Sequence, residues 1–187
     1  KAGVEYAVDV RDETLFVYTN DEHENFRLAT APLASPGEWT TLIAGSDKHY
    51  LTGVSLFKDF FVTEGRIDGL DQVEVRRYGS PTKAEPIKFA EASYVAGLGD
   101  NPEYDVQKLR LDYESMFTPD TVFDYTVATG KFETLKVQEI PSGYDASQYQ
   151  TERVTITARD GTKVPVSILS KKGFKKDGSQ PLHLYAY

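Results

Sequence analysis

A unit of four short strands, repeated three times, limits the possible folds of this chain more than any other feature of its sequence. The clearest example lies at residues 117–136, where Phe123, Tyr125 and Val127 alternate with polar residues. Alternation with a period of two is typical of a half-buried β-strand, and Thr129-Gly130 supplies a tight turn before the chain runs back. This stretch therefore predicts a β-hairpin, and the preceding sequence repeats the same pattern.

Three such units follow one another from the start of the chain. The predicted strands are 4–8, 15–19, 26–30 and 39–43 in the first unit, 50–56, 60–63, 73–78 and 87–89 in the second, and 94–98, 108–113, 121–127 and 132–136 in the third. The units start at Val4, Leu51 and Tyr94, which are 47 and 43 residues apart. A four-stranded unit that repeats at this period is typical of the blades of a β-propeller. The sequence thus predicts an all-β fold with about three four-stranded antiparallel blades.

One alternative stays open at this point. An ordinary antiparallel sandwich would give the same strands if their near-equal spacing were accidental. A helical fold is disfavoured, because no window keeps apolar residues at helical spacing over three turns and Gly or Pro interrupts most candidates.

The character of the sequence changes at residues 138–150. Pro141, Gly143 and several polar side chains break the alternation there, which is typical of a connector rather than a strand. We therefore expect two domains, a partial propeller at 1–138 and a second, incomplete domain at 139–187.

The sequence beyond this connector predicts a second kind of hairpin. Alternating apolar residues at 154–158 are followed by Asp160-Gly161 and by another apolar run at 164–168. Asp-Gly between alternating runs predicts a type I′ turn, in which both central residues have positive φ. The last residues, 181–187, form an apolar run that fits a buried strand but has no predicted partner.

Charge and cysteine content narrow the classes of function. The net charge of −8 argues against nucleic acid and anionic membranes as partners, since both bind clustered Lys and Arg, and it mildly favours cationic partners. The chain has no cysteine, which excludes disulfides and thiolate metal sites and fits a reducing compartment. No apolar run approaches the length of a membrane span, and the first residues do not resemble a signal peptide. We expect a cytoplasmic protein.

No motif for a cofactor, a metal or a nucleophile is present. Residues 23–27 contain His-Glu but lack the second His of the zinc-protease motif. Gly65 and Gly69 are the only glycines four positions apart, and they flank an isoleucine rather than the serine of a nucleophile elbow. The three histidines, His23, His49 and His183, have no Ser and Asp neighbours that mark a catalytic triad, and we expect structural roles for them. We therefore expect no cofactor and no metal.

Four stretches of the second half carry a resemblance to a known family. They are FTPDTVFDY at 117–125, GYD at 143–145, ARDGTKVPVS at 158–167 and PLHLYAY at 181–187. With these stretches the chain, from about Ser93 onward, resembles the prolyl oligopeptidase family of serine peptidases, and most closely its oligopeptidase B branch. The first two units fit the same family more loosely, as propeller blades.

The resemblance implies a fold and an activity. In that family a seven-bladed propeller caps an α/β-hydrolase domain, so residues 1–138 would be its last blades and residues 139–187 the first strands of the catalytic domain. The oligopeptidase B branch cuts after Arg or Lys, and the propeller admits only short peptides. The partner implied for the parent enzyme is thus a short basic peptide. Because the family's triad would lie beyond Tyr187, the chain by itself is expected to be inactive.

One residue of the chain is implied in the chemistry. In the strand that matches 184–187 the family usually reads Tyr-Gly-Tyr-Gly, with Tyr-Gly-Tyr at 185–187, and the second Tyr donates its hydroxyl to the oxyanion. That position is Tyr187, while Ala186 departs from the usual Gly. The alternative role for Tyr187 is that of an aromatic side chain packed at a strand end.

Two classes of function therefore stay open, a part of a serine oligopeptidase and a propeller-like binding module without chemistry. In either case, three blades of seven leave two inter-blade faces without a neighbour, and we expect both faces to be apolar. Exposed faces and strand edges of this kind predict self-association, through blade faces or through the strands at 164–169 and 182–187.

Overall fold

The computed structural model describes residues 2–186, which form fourteen β-strands and one three-residue 3₁₀ turn. The strands belong to three four-stranded antiparallel sheets and one two-stranded hairpin. The predicted all-β class is confirmed, and the sheets are consistent with a partial β-propeller. Within residues 2–186 no helix is long and apolar enough to cross a membrane.

Each four-stranded sheet, called here a blade, has its strands in sequence order. The first blade contains β1 (Tyr6–Arg11), β2 (Thr14–Thr19), β3 (Arg27–Pro32) and β4 (Thr40–Ile43). The second contains β5 (His49–Leu56), β6 (Phe60–Ile67), β7 (Leu70–Arg77) and β8 (Ser80–Pro86). The third contains β9 (Tyr94–Leu98), β10 (Lys108–Ser115), β11 (Thr121–Thr126) and β12 (Lys131–Val137). The hairpin consists of β13 (Tyr149–Thr157) and β14 (Lys163–Lys171), preceded by the 3₁₀ turn at Ala146–Gln148.

The hairpin of β11 and β12 in the third blade forms as predicted from residues 117–136. Thr126 pairs with Lys131, and Gly130 closes the turn with a φ of 68°. Its amide donates to the carbonyl of Thr126 at 2.9 Å. Only glycine adopts this left-handed conformation without steric cost, so the glycine of Thr129-Gly130 is a specific sequence signal for the turn.

The last strand of the second blade was predicted in the wrong place. The sequence predicts it at 87–89, whereas β8 spans Ser80–Pro86. This strand is an edge strand with largely exposed side chains, so it lacks the apolar alternation on which the prediction relied. Pro81 is tolerated because an edge strand does not need every N–H for the ladder. Ile87 lies just past the strand, where its side chain is buried in the core.

The type I′ turn lies at Asp68-Gly69 and not at Asp160-Gly161, where the sequence predicts it. Asp68 and Gly69 have φ values of 52° and 71° and form the two-residue turn between β6 and β7, with the register of a type I′ hairpin. At Asp160-Gly161 only the glycine has positive φ, and the loop closes one residue wider, with Ala158 donating to the carbonyl of Thr162. The hairpin there is confirmed, but its predicted type I′ turn is wrong.

The blades pack flank to flank through two apolar cores. Between the first and second blades lie Phe16, Leu28, Leu51, Leu56 and Phe61. Between the second and third blades lie Phe57, Phe60, Val62, Val73, Val75, Ile87, Leu109 and Leu111. Burial of one such side chain stabilises the fold by about 1.5–3 kcal/mol, so these cores fix the order of the three blades.

The two flanks at the ends of this row of blades differ from each other. The free flank of the first blade presents Tyr6, Val8 and Val10, all of them exposed apolar side chains of β1. On β10 of the third blade, Leu109 and Leu111 face the second blade, so the alternate residues of β10 face outward. These outward residues are Lys108, Arg110, Asp112 and Glu114. The expectation of two apolar end faces is therefore wrong for the third blade, whose free flank is charged.

The hairpin β13–β14 contacts the blades through polar groups. The Arg153 guanidinium donates to the carbonyl of Asp68 in the type I′ turn of the second blade. The hydroxyls of Ser167 and Ser93 lie 2.6 Å apart. None of the described residues from 139 to 186 is buried, so this part of the chain adds no core of its own.

Candidate functional site

The first strands of the three blades converge on a common inner edge. A cleft of about 650 Å³ opens there, with a wall from each blade. Its lining residues are Asp9, Val54, Ser55, Leu56, Phe57, Glu64, Leu98, Gly99, Asp100, Asn101 and Pro102. Because it is shared by all three blades, it is the candidate functional site of the chain.

Three carboxylates give this cleft its electrostatic character. Asp9 and Asp100 are exposed, whereas Glu64 is half-buried. Burial raises the pKa of Glu64 and the nearby charge of Asp71 raises it further, while a hydrogen bond from the amide of Leu98 lowers it. The cleft therefore presents negative charge and can attract cations, but its lining contains no histidine that could act as a base for Ser55.

Glycines make room for the Glu64 carboxylate between the second and third blades. Glu64 Oε1 accepts the N–H of Leu98 at 2.8 Å. A Cβ at Gly97 would lie 2.9 Å from the same oxygen, so a larger residue there would displace the carboxylate. A Cβ at Gly53 would lie 3.5 Å from Glu64 Oε2, which is ordinary contact. A side chain at Gly97 would thus shift the Glu64 carboxylate from its present position.

No carboxylate of the blades is among the site residues predicted from the sequence, although the sequence contains a signal for Glu64. Phe60, Val62 and Glu64 occupy alternate positions of one strand, and the first two are buried against the third blade. A carboxylate that continues a buried apolar row needs a polar partner, because an unpaired charge in such a place is costly. That irregularity could have singled out Glu64, although its partner could not be inferred from the sequence.

The three histidines lie apart from the cleft. His23 Nε2 is 3.2 Å from Asp47 Oδ1, and its Nδ1 accepts the amide of Asn25. His49 lies on β5, and its Nε2 has no hydrogen-bond partner among residues 2–186. His183 is exposed in the stretch after the hairpin. Within the described part of the chain no serine hydroxyl bonds to any of these imidazoles, and no group of three or more acidic or histidine side chains could hold a metal ion.

Tyr187, the predicted oxyanion donor, lies outside the described residues. The residues before it, 181–186, form no strand, and Leu182 and Leu184 are 85% and 78% exposed. The predicted buried strand is therefore wrong for 181–186. The physical reason is that the two-stranded hairpin offers this apolar run no packed face to cover it.

Three consecutive meanders, packed flank to flank around a shared inner edge, define part of a β-propeller. Residues 1–138 match the family described as "Prolyl oligopeptidase, N-terminal beta-propeller domain". The chain belongs to the prolyl oligopeptidase family.

Named relatives place the chain within longer proteins. It is 38% identical to dipeptidyl aminopeptidase BI of Pseudoxanthomonas mexicana and 30% identical to Protease 2 of Moraxella lacunata, over 98% and 99% of this chain. The structure is similar to that of oligopeptidase B from Trypanosoma brucei, with a TM-score of 0.82 and 32% identity over 94% of this chain. In each case the chain spans about a quarter of the relative, 26% of its length.

Proposed function

We propose that this chain is part of a serine oligopeptidase that hydrolyses short peptides after Arg or Lys. The observation that carries the proposal is the family match over residues 1–138, together with a 32% identical oligopeptidase B of which the chain covers 26%. In this proposal residues 1–138 are propeller blades, and residues 139–187 are the first strands of an α/β-hydrolase domain. The triad lies in the rest of the enzyme, so the chain alone is inactive.

The proposed preference for basic peptides is supported by the charge of the cleft. Asp9, Glu64 and Asp100 line it, and the chain as a whole has a net charge of −8. A cleft with walls of one sign concentrates counter-ions, so Arg and Lys side chains would be drawn toward the inner edge of the blades. The exposed carboxylates act mainly by this long-range attraction, because single exposed ion pairs contribute little.

The propeller is proposed to act as a filter for peptide length. The inner edges of the blades share one cleft, which supports this role. In this proposal an extended peptide enters between the inner edges and a folded protein is excluded. Access would then depend on how firmly the blades hold together at their inner edges.

Tyr187 is proposed to stabilise the oxyanion in the complete enzyme. A neutral hydroxyl fixed near the developing charge contributes about 2.7–4 kcal/mol to the transition state. Tyr187→Phe in the full-length enzyme should therefore lower kcat by roughly one to three decades with little change in KM. Tyr104→Phe, on an exposed propeller loop, is the matched control and should not change kcat. An unchanged kcat in Tyr187→Phe would show that Tyr187 does not stabilise the oxyanion and would favour the alternative role of an aromatic side chain packed at a strand end.

The experiment that tests the whole proposal uses the full-length protein. Chromogenic peptides with Arg, Lys or Pro before the scissile bond are compared, with and without replacement of the serine in a Gly-x-Ser-x-Gly motif encoded beyond Tyr187. Hydrolysis of the Arg and Lys peptides that depends on this serine supports the proposal. A stop codon directly after Tyr187, or binding of peptides without hydrolysis, would favour the rival function of a non-catalytic binding module.

Self-association of the isolated chain and a cytoplasmic location are further proposals. The exposed Tyr6, Val8 and Val10 on the free flank of the first blade support the first of these. The absence of cysteine is compatible with the second.

A further inference from the structure

The inner strand of the third blade, β9, has one edge that pairs with no other strand of residues 2–186. The amide of Gly99 donates to the carbonyl of Arg110 at 3.0 Å, so the odd-numbered amides at this end of β9 point toward β10. Because directions alternate along a strand, the amides of Ala96 and Leu98 point to the open edge. Unpaired N–H groups on such an edge are normally available to another strand or to water.

Both of these amides are bonded by carboxylates of the second blade. Leu98 donates to Glu64 Oε1 at 2.8 Å, and Ala96 donates to Asp71 Oδ2 at 3.2 Å. The two acceptors come from different strands, β6 and β7, yet they match the two-residue spacing of the amides. Hydrogen bonds to an ionised acceptor are stronger than those between neutral groups, but for Glu64 this gain offsets only part of the cost of burying its charge.

The surroundings of the two carboxylates hold them in place. Asp71 keeps its other oxygen, Oδ1, 2.8 Å from the Nε of Arg66, so one carboxylate bridges a guanidinium and an amide of the next blade. Glu64 fits because Gly97 has no side chain, as described above. The contacts therefore join the two blades at the inner edge, beyond the apolar core that joins their flanks.

We propose that Glu64 and Asp71 form a latch that closes the seam between the second and third blades, and that the charge on Glu64 sets how readily the seam opens. The latch lies on the wall of the shared cleft, so its opening would widen the space between the inner edges. The proposal concerns the blades themselves and holds whether or not the complete protein is a peptidase.

The charged groups around Glu64 determine the direction of its pH dependence. Asp71 faces it from β7, with Arg66 paired to that aspartate, while Asp9 of β1 and Asp100 after β9 line the same cleft. Burial raises the pKa of Glu64 in the closed seam, and an open seam returns the carboxyl to water. The closed form therefore binds the proton more tightly, so closure is favoured at low pH and weakens as pH rises through the raised pKa.

Amide hydrogen exchange of the whole chain tests this latch. The protection of the Leu98 and Ala96 amides is measured between about pH 4 and pH 8, with correction for the intrinsic exchange rate. The wild-type protection should fall as pH rises. Glu64→Gln keeps an acceptor but cannot ionise, so its Leu98 amide should stay protected with a flat pH profile. Glu38→Gln, an exposed glutamate of the first blade, is the control and should follow the wild type.

Removal of the acceptor gives the second arm of the test. Glu64→Leu should speed exchange at Leu98 by about tenfold or more, because a half-buried donor then lacks its partner. The amide of buried Val17 in the first blade should be unaffected. If Val17 also loses protection in Glu64→Leu, the first blade has unfolded in that variant. The pH profile of Glu64→Gln then decides whether the latch exists. A wild-type profile without slope, or a Glu64→Gln profile that slopes like the wild type, would overturn the proposal.

Discussion

Replacement of Arg76 by Met should destabilise the chain far more than loss of an equally short ion pair at the surface. Arg76 Nη2 lies 2.6 Å from Glu74 Oε2, and both side chains are buried, with 6% and 8% of their surface exposed. The guanidinium also donates to Thr63 Oγ1 at 2.9 Å and to the carbonyls of Pro81 and Thr82. It thus connects three strands of the second blade.

The magnitude follows from what the substitution leaves behind. In Arg76→Met the Glu74 carboxylate stays buried with the hydroxyl of Thr63, 3.1 Å away, as its remaining donor. Breaking one side of a buried ion pair typically costs about 3–5 kcal/mol. A domain is usually stable by only about 5–15 kcal/mol, so the loss should be a large fraction of the total.

A surface ion pair with the same N–O distance shows whether burial, rather than distance, determines the loss of stability. Lys58 Nζ lies 2.6 Å from Asp105 Oδ2, but these side chains are 55% and 59% exposed. Water solvates both partners after Lys58→Met, so this variant should unfold at the same urea concentration as the wild type.

Urea unfolding followed by circular dichroism measures both effects, and a double variant tests their cause. Glu74→Leu combined with Arg76→Met removes the stranded charge and should recover a substantial part of the stability lost in Arg76→Met alone. Recovery should be incomplete, because the carbonyls of Pro81 and Thr82 still lack their donor. Equal midpoints for Arg76→Met and Lys58→Met, or a double variant no better than Arg76→Met, would refute this reasoning.

Three further outcomes are expected. The isolated chain should release no chromophore from Arg, Lys or Pro peptides above a protein-free blank, since it carries no nucleophile elbow; a measurable rate would contradict this. Gly69→Ala, at a φ of 71°, should lower the free energy of unfolding by about 1–2 kcal/mol, whereas Gly37→Ala, with open space around it, should not. Light scattering after size exclusion should give a mass above 20.9 kDa that returns to 20.9 kDa in Val8→Lys.

Local sequence was enough to predict the strands that carry large apolar residues. The hairpin of β11 and β12 is predicted because Phe123 and Tyr125 alternate with Asp124 and Thr126 and because Gly130 needs positive φ, and β12, although exposed, still carries large apolar residues. The strand Ser80–Pro86 escapes prediction because it contains no large apolar residue. Strands at a sheet edge owe their conformation to the backbone ladder, which composition does not reveal.

The latch could not be predicted, for a different reason. Glu64 and Leu98 are 34 residues apart, and Asp71 and Ala96 are 25 apart, so their contacts exist only once two blades are packed together. The amides that they bond belong to the backbone, and every residue but proline carries one. The sequence therefore shows that a carboxylate lies in an apolar row. Its binding partner is known only from the way the third blade packs against the second.

The unequal end flanks also limit how the isolated chain can associate. If both flanks were apolar, the first blade of one copy could pack on the third blade of the next, and this head-to-tail contact would continue into long polymers. The free flank of the third blade instead carries charges that are paired within it, with Arg110 Nε 2.8 Å from Asp124 Oδ1 and Lys108 Nζ 2.7 Å from Glu133 Oε2. To bury these groups against Val8 and its neighbours would remove water from ionised side chains without new partners. Of the two end flanks, only the same flank of a second copy can cover the apolar flank of the first blade, so association through this flank should stop at a closed dimer.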